Sequence, residues 1–111
     1  MLDTATLKTL FTKEEIEEYN LESYKDKIPG RLLLGLVAWA EKKHRVGHFL
    51  TAVLSNDLCE AVARADEESM AALRQIVMFV YNNLPGICWG SQEKVAAWAK
   101  AIASKAVVAS T

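Results

Sequence analysis

Apolar residues recur along this chain at spacings of three and four and almost nowhere in strict alternation, so the pattern predicts helices throughout. The densest stripe is Leu33, Leu36, Val37 and Ala40, widened by Leu32 and Trp39. It belongs to a helix that opens at Pro29-Gly30 and closes in Lys42-Lys43-His44-Arg45, where cations complement the negative end of the helix dipole. A second long helix is expected from His48 to about Ala65; at about 100° per residue, Leu50, Leu54, Leu58, Ala61 and Ala65 make its buried face. Asp66 caps a third, about 67 to 83, with Leu73, Ile76, Val77, Val80 and Leu84 facing inward. Ser91 and Glu93 open the last, whose stripe is Val95, Trp98, Ala99, Ile102 and Ala106.

Ahead of these, Asp3 can cap a short helix carrying Leu7 and Leu10. A firmer start follows: Thr12 and Glu15 form a capping box, and Phe11 and Ile16 stand where a hydrophobic staple closes the entry. That helix should reach about Tyr19, with Asn20 as its stop. The connections are short, so consecutive helices fold back on one another. The expected architecture is all-α, a single domain over 1–111: an antiparallel bundle of four main helices with a short N-terminal helical segment. Residues 1–28 make an N-terminal arm, 29–106 the helical core, and 107–111 a frayed tail.

Composition narrows the function classes. At 111 residues, 51% hydrophobic and 24% charged, the chain can bury one core without disulfides or metal. Its longest apolar run, Leu32 to Ala40, is about half of a membrane span. The start MLDTATLKTL has neither a basic opening nor an apolar signal core, so a cytoplasmic protein is expected, with no membrane partner. Cys59 and Cys88, without CxxC spacing, fit reduced thiols, unless the fold brings them together. Net charge is −1, sorted as seven acids against four bases in residues 1–28 and three lysines against one glutamate in 92–111. No segment carries the basic excess of a nucleic-acid footprint.

The helix from His48 puts Asp57 and Arg64 close to its apolar stripe, with Glu60 beside them and Asn56 adjacent. A carboxylate so placed needs partners, and Arg64, four residues from Glu60, can serve. The cluster reads as a register-fixing polar network or a ligand site; lacking a second catalytic group, it gives no reaction class, and no enzyme is expected. His44 and His48 have the spacing of a two-histidine metal face, but Gly47 breaks the helix between them and a third ligand is lacking, so neither metal nor cofactor is expected. Lys42, Lys43 and Arg45 could contact an anion, though helix-end electrostatics explain them as well. Glu14, Glu15, Glu17 and Glu18 could present an acidic face to a basic partner groove, or simply a solvated one. Between Leu84 and Ser91 the chain reads LPGICWGS, a connection that carries an indole. Trp89 is expected to fold down over the bundle end, giving its N–H to a carbonyl or to a carboxylate such as Asp57; the rival is an exposed aromatic anchor for a partner.

The succession Ile28-Pro29, then Val46-Gly47-His48-Phe49-Leu50-Thr51-Ala52-Val53-Leu54-Ser55-Asn56-Asp57-Leu58, Ala65-Asp66, Leu84-Pro85, Cys88-Trp89-Gly90-Ser91 and Trp98 resembles a group of short helical proteins encoded by tailed phages and prophages, over residues 28 to about 98. Arg31-Leu32 stands where that group commonly has a His-Thr pair, and Ser69 where it has Asn. The resemblance implies a phage origin and a bacterial host cytoplasm, without naming an activity. It suggests a non-enzymatic protein that binds a host protein, foremost an immune complex, and inhibits it. A small-molecule or nucleotide binder using Asp57 and Trp89, a weak nucleic-acid binder using Lys42 to Arg45, and a virion or assembly component remain open, and the oligomeric state is not indicated.

Overall fold

In the computed structural model the described residues are 2–110 for the backbone and 2–105 for side chains. They form eight α-helices: Thr4–Leu10 (α1), Lys13–Glu18 (α2), Gly30–Ala40 (α3), His48–Leu54 (α4), Leu58–Arg64 (α5), Glu67–Ala71 (α6), Leu73–Asn83 (α7) and Gln92–Ser110 (α8). Two 3-10 turns, Leu21–Ser23 and Gly86–Cys88, complete the described structure, which contains no strand. The protein is all-helical, and no helix among the described residues is long and apolar enough to cross a membrane.

Local chemistry sets the helix starts. Asp3 accepts the Thr6 amide at 2.7 Å, and Thr12 and Glu15 close their capping box at 3.1 and 2.8 Å. Asp57 caps α5 through the Glu60 amide, and Asp66 caps α6 through the Ser69 amide. Helix ends use a different device. Lys42, at φ 59°, and Asn56, at φ 63°, adopt the left-handed conformation after α3 and α4. Each end is a Schellman closure: Lys43 and Lys42 donate to Ala38 and Trp39, and Asp57 and Asn56 donate to Ala52 and Val53.

This device divides what the periodicity joins. The expected helix from His48 to Ala65 is two, α4 and α5, turned against each other at Asn56, so the stripe does not continue: Leu50, Leu54 and Ala61 are buried, but Leu58 is 68% exposed. The expected helix over 67–83 is likewise interrupted at Ala72, with Ile76 and Val80 buried, Val77 exposed, and Phe79 taking a core position not assigned to it. Neither glycine nor proline marks that second break. The helix expected to close in the basic cluster ends earlier, at Ala40, leaving residues 42–45 beyond it. In α8, Val95 and Ile102 are buried and Trp98 and Ala99 pack on the core, as the stripe requires. Of the tail expected to fray over 107–111, the backbone is described as far as Ser110 and continues α8; Thr111 and the side chains from Ala106 onward lie outside the described residues.

The core gathers fully buried Leu33, Leu36, Trp39, Leu54, Ile76 and Phe79, each contributing about 1.5–3 kcal/mol through burial. The N-terminal arm is part of it. Leu7, Phe11, Leu21 and Ile28 are all buried, and Tyr24 meets Phe79 edge-on at 5.1 Å. Leu2 lies so near Gly30 that a β-carbon there would come within 2.9 Å of it. On the surface, Arg31 reaches Asp66 and Glu68, tying α3 to the start of α6.

Candidate functional site

The loop from Leu84 to Ser91 is fastened by its backbone. Trp39, buried in α3, gives its indole N–H to the Cys88 carbonyl at 3.0 Å, and the Gly90 amide donates to Leu54 at 2.7 Å. Lys94 reaches the Gly86 carbonyl at 3.2 Å. Gly90 has φ +117°, a conformation that side chains rarely adopt, which explains a glycine directly after the tryptophan. Cys88 is fully buried, and burial pushes its thiol up to about 11; Cys59 is exposed, and both cysteines are free. The indole of Trp89 donates to the Leu84 carbonyl at 3.3 Å, within its own loop, and its ring, half-buried, stands edge-on to Tyr81 at 6.0 Å.

Asp57 is therefore not the partner of Trp89. The expectation of a desolvated acid needing donors fails because the chain turns at Asn56: Asp57 becomes the half-buried N-cap of α5, and Asn56 is exposed. Glu60 and Arg64 do meet, at 2.7 Å, but as a solvent-facing pair about half exposed on both sides, worth at most about 1 kcal/mol. The polar cluster is thus a helix cap beside a surface ion pair.

Glu15 also departs from expectation. It is 7% exposed, holding the Thr12 amide with one oxygen and Lys43 at 3.3 Å with the other, so it cannot belong to an open acidic face with Glu14, Glu17 and Glu18, which are exposed. Burial pushes its carboxyl up, yet the Thr12 amide and Lys43 together hold it below the ordinary range. Close by, Tyr19 donates to Glu41 at 3.2 Å; burial first, and then the neighbouring Glu41 and Glu18 charges, raise its hydroxyl pKa. These two contacts fasten α2 to the end of α3. The basic cluster is dispersed accordingly: Lys43 serves Glu15, Lys42 lies 4.6 Å over the Trp98 ring, and Arg45 alone of the three points to open clefts. His44 lies in the connection and His48 opens α4; among the described residues no cluster of three or more candidate metal ligands exists.

Two surfaces remain that could act on something else. The first is apolar. Leu58 and Val77 border one small cleft with Val53, Ala61 and Leu73, and Tyr81, one turn along α7 from Val77, is 68% exposed and leads to Trp89. Ile87, in the same loop, is equally exposed. Leu58 and Val77 fit the period of a buried face, so periodicity hides them, and Tyr81 carries no signal in the sequence; for Leu58 alone the Asn56-Asp57 pair, a left-handed stop followed by a cap residue, signals otherwise. The second is a mixed polar and apolar cleft between α4 and α8, bordered by Arg45 and His48 at one side and by Asp57, Glu60 and Gln92 at another. No protein family, curated protein or solved structure matches the chain.

Proposed function

We propose that the chain is a small phage-derived, non-enzymatic binding protein that inhibits a host defence complex by occupying part of its surface. One observation carries this reading: the continuous apolar strip from Leu58 through Val77 to Tyr81, adjoining Trp89. Single exposed apolar residues are ordinary, whereas contiguous ones mark a surface that another protein covers. Tyr81 on α7 and Trp89 on a loop fastened by hydrogen bonds to Trp39, Leu54 and Lys94 supply the aromatic area that dominates interface energies, so little ordering is needed on binding. Glu14 and Glu18 remain exposed at α2 as a second, acidic contact, while Lys42 and Lys43 are engaged internally, which favours a protein partner over nucleic acid. We read the core as an antiparallel bundle of four units: α3, the α4–α5 pair folded against itself at Asn56, α6–α7 and α8. A bacterial cytoplasm is the compartment this function requires.

The test is phage plating efficiency on host strains with defined defence systems, with and without the chain. Expression should restore plating on a strain carrying the targeted system. Leu58→Glu and Tyr81→Glu, at exposed positions, should abolish the rescue with the melting temperature unchanged. Rescue that survives both substitutions would remove the strip from the mechanism, and no rescue on any defended strain would remove the inhibitor reading.

A further inference from the structure

The open cleft between α4 and α8 holds about 360 Å³ and is lined by Arg45 and His48 and by the acids Asp57 and Glu60. Its α4 wall is His48, Thr51, Ala52 and Ser55, the i, i+3, i+4, i+7 face of that helix. Gln92, Val95, Ala96 and Ala99 repeat the same spacing on α8. The Gly90–Leu54 hydrogen bond puts the start of α8 beside the end of α4, and the Trp98–Trp39 bond puts its middle beside the end of α3, so α8 runs antiparallel to α4. Gln92 consequently shares one end of the cleft with Ser55, Asp57 and Glu60, and Ala99 shares the other with Arg45 and His48. Small side chains, Ala52 and Ala96, leave room between the helices midway.

The polar groups at both ends retain binding capacity. Asp57 commits one oxygen to the Glu60 amide and Glu60 one to Arg64, leaving the second oxygen of each carboxylate. Arg45 and His48 enter no ion pair among the described residues. From His48 to Ser55 is seven residues, about 10 Å along a helix axis. An extended peptide advances about 3.3–3.6 Å per residue, so three residues span the same length. A ligand of one charge would meet like charge at one end; a zwitterion of this length meets opposite charge at both.

We propose that this cleft binds a tripeptide with free termini and a small apolar middle residue, its carboxylate at Arg45 and His48 and its ammonium at Asp57 and Glu60. Ala52, Val95 and Ala96 receive the middle side chain. The site goes beyond the inhibitor reading and does not use Leu58, Val77 or Tyr81.

The experiment titrates the intact chain with Ala-Val-Ala, followed by backbone amide NMR shifts and calorimetry. Saturable binding is expected, with shifts concentrated at Thr51, Ser55, Val95 and Ala96, and the Tyr81→Glu variant should bind unchanged. N-acetylation or C-amidation of the peptide should each weaken binding about tenfold, as expected for losing a charge-assisted hydrogen bond. The protein variants provide the matched pair: Asp57→Asn keeps the helix cap but should reduce the preference for a free ammonium, Glu60 remaining, and Arg45→Gln should reduce the preference for a free carboxylate, each leaving the preference at the other end intact. Ala96→Phe, at an exposed position, should fill the cleft and abolish binding; should it fail to fold, Ala96→Leu takes its place. Equal binding of the doubly blocked peptide, or no saturable shift up to about 10 mM, overturns the proposal.

Discussion

The indole of Trp98 donates to the main-chain carbonyl of Trp39 at 2.7 Å, while the indole of Trp39 donates onward to Cys88 at 3.0 Å. Two tryptophans thus link α8, the end of α3 and the LPGICWGS loop in one chain of hydrogen bonds. The same Trp39 carbonyl also receives the Lys42 amide at 3.1 Å, and Lys42 returns over the Trp98 ring.

The two indoles should differ in worth. Trp98→Phe leaves the Trp39 carbonyl with its Lys42 donor and keeps a ring beneath the ammonium, so a loss of about 1–2 kcal/mol is expected. Trp39→Phe strips the buried Cys88 carbonyl of its donor and opens space in the core, and should cost about 3 kcal/mol or more. Urea titration of both variants checks the order; equal losses would mean that the Cys88 carbonyl finds a replacement partner.

Asn56 isolates the contribution of backbone conformation, because its side chain is exposed and its φ is 63°. Asn56→Gly should change stability by less than about 0.5 kcal/mol or raise it, and Asn56→Ala should lower it by about 1 kcal/mol. If both substitutions leave the unfolding midpoint in place, the α4–α5 turn does not depend on a left-handed residue.

The cysteines should react in two classes. Cys59 is exposed, whereas Cys88 is fully buried with its thiol pushed up to about 11 by that burial, so a thiol reagent near pH 8 should modify one cysteine quickly in the native chain and the second only on unfolding. Two fast equivalents in native conditions would contradict the closed loop.

Acid should weaken the attachment of α2 to α3. Folding depresses the Glu15 carboxyl below its ordinary 4.5, so its contribution is fully present above that value and is lost as pH falls through the folded one. Glu15→Gln keeps the capping bond, loses the Lys43 pair, and should cost less than about 1 kcal/mol near neutrality because Lys43 is largely exposed. Its stability should also decline less steeply below about pH 4.5 than that of the parent, a comparison that thermal melts across pH provide. Asp3 and Asp66, depressed chiefly by the Thr6 and Ser69 backbone amides, should preserve some acid slope in both proteins.

Helix starts were legible in the sequence because each is written by one side chain: Asp3, Thr12 and Asp66 cap where their types and positions indicate. Interruptions were harder to read. Apolar spacing continues through Asn56 as though one helix spanned it, and only the backbone reversal there turns Leu58 outward and makes Asp57 a cap. At Ala72 the sequence offers no breaker at all. The apolar strip was hidden for this reason, since Leu58 and Val77 satisfy the period of a buried face without being buried. Glu15 shows the reverse: its capping role was visible, but its distance from the open acidic face depends on Lys43, 28 residues away.

The Trp39–Cys88 hydrogen bond also imposes an order on synthesis. Trp39 is made 49 residues before the carbonyl that satisfies it, and the helix that covers its other side comes later still. A nascent chain ending at Leu84 would hold α1 to α7 but leave this indole donor without its native acceptor and the core open along one flank. Small domains generally fold as units during translation, and this one can close only after the ribosome has released the loop and the first turns of α8. Until then the exposed core would make the unfinished chain a ligand for chaperones.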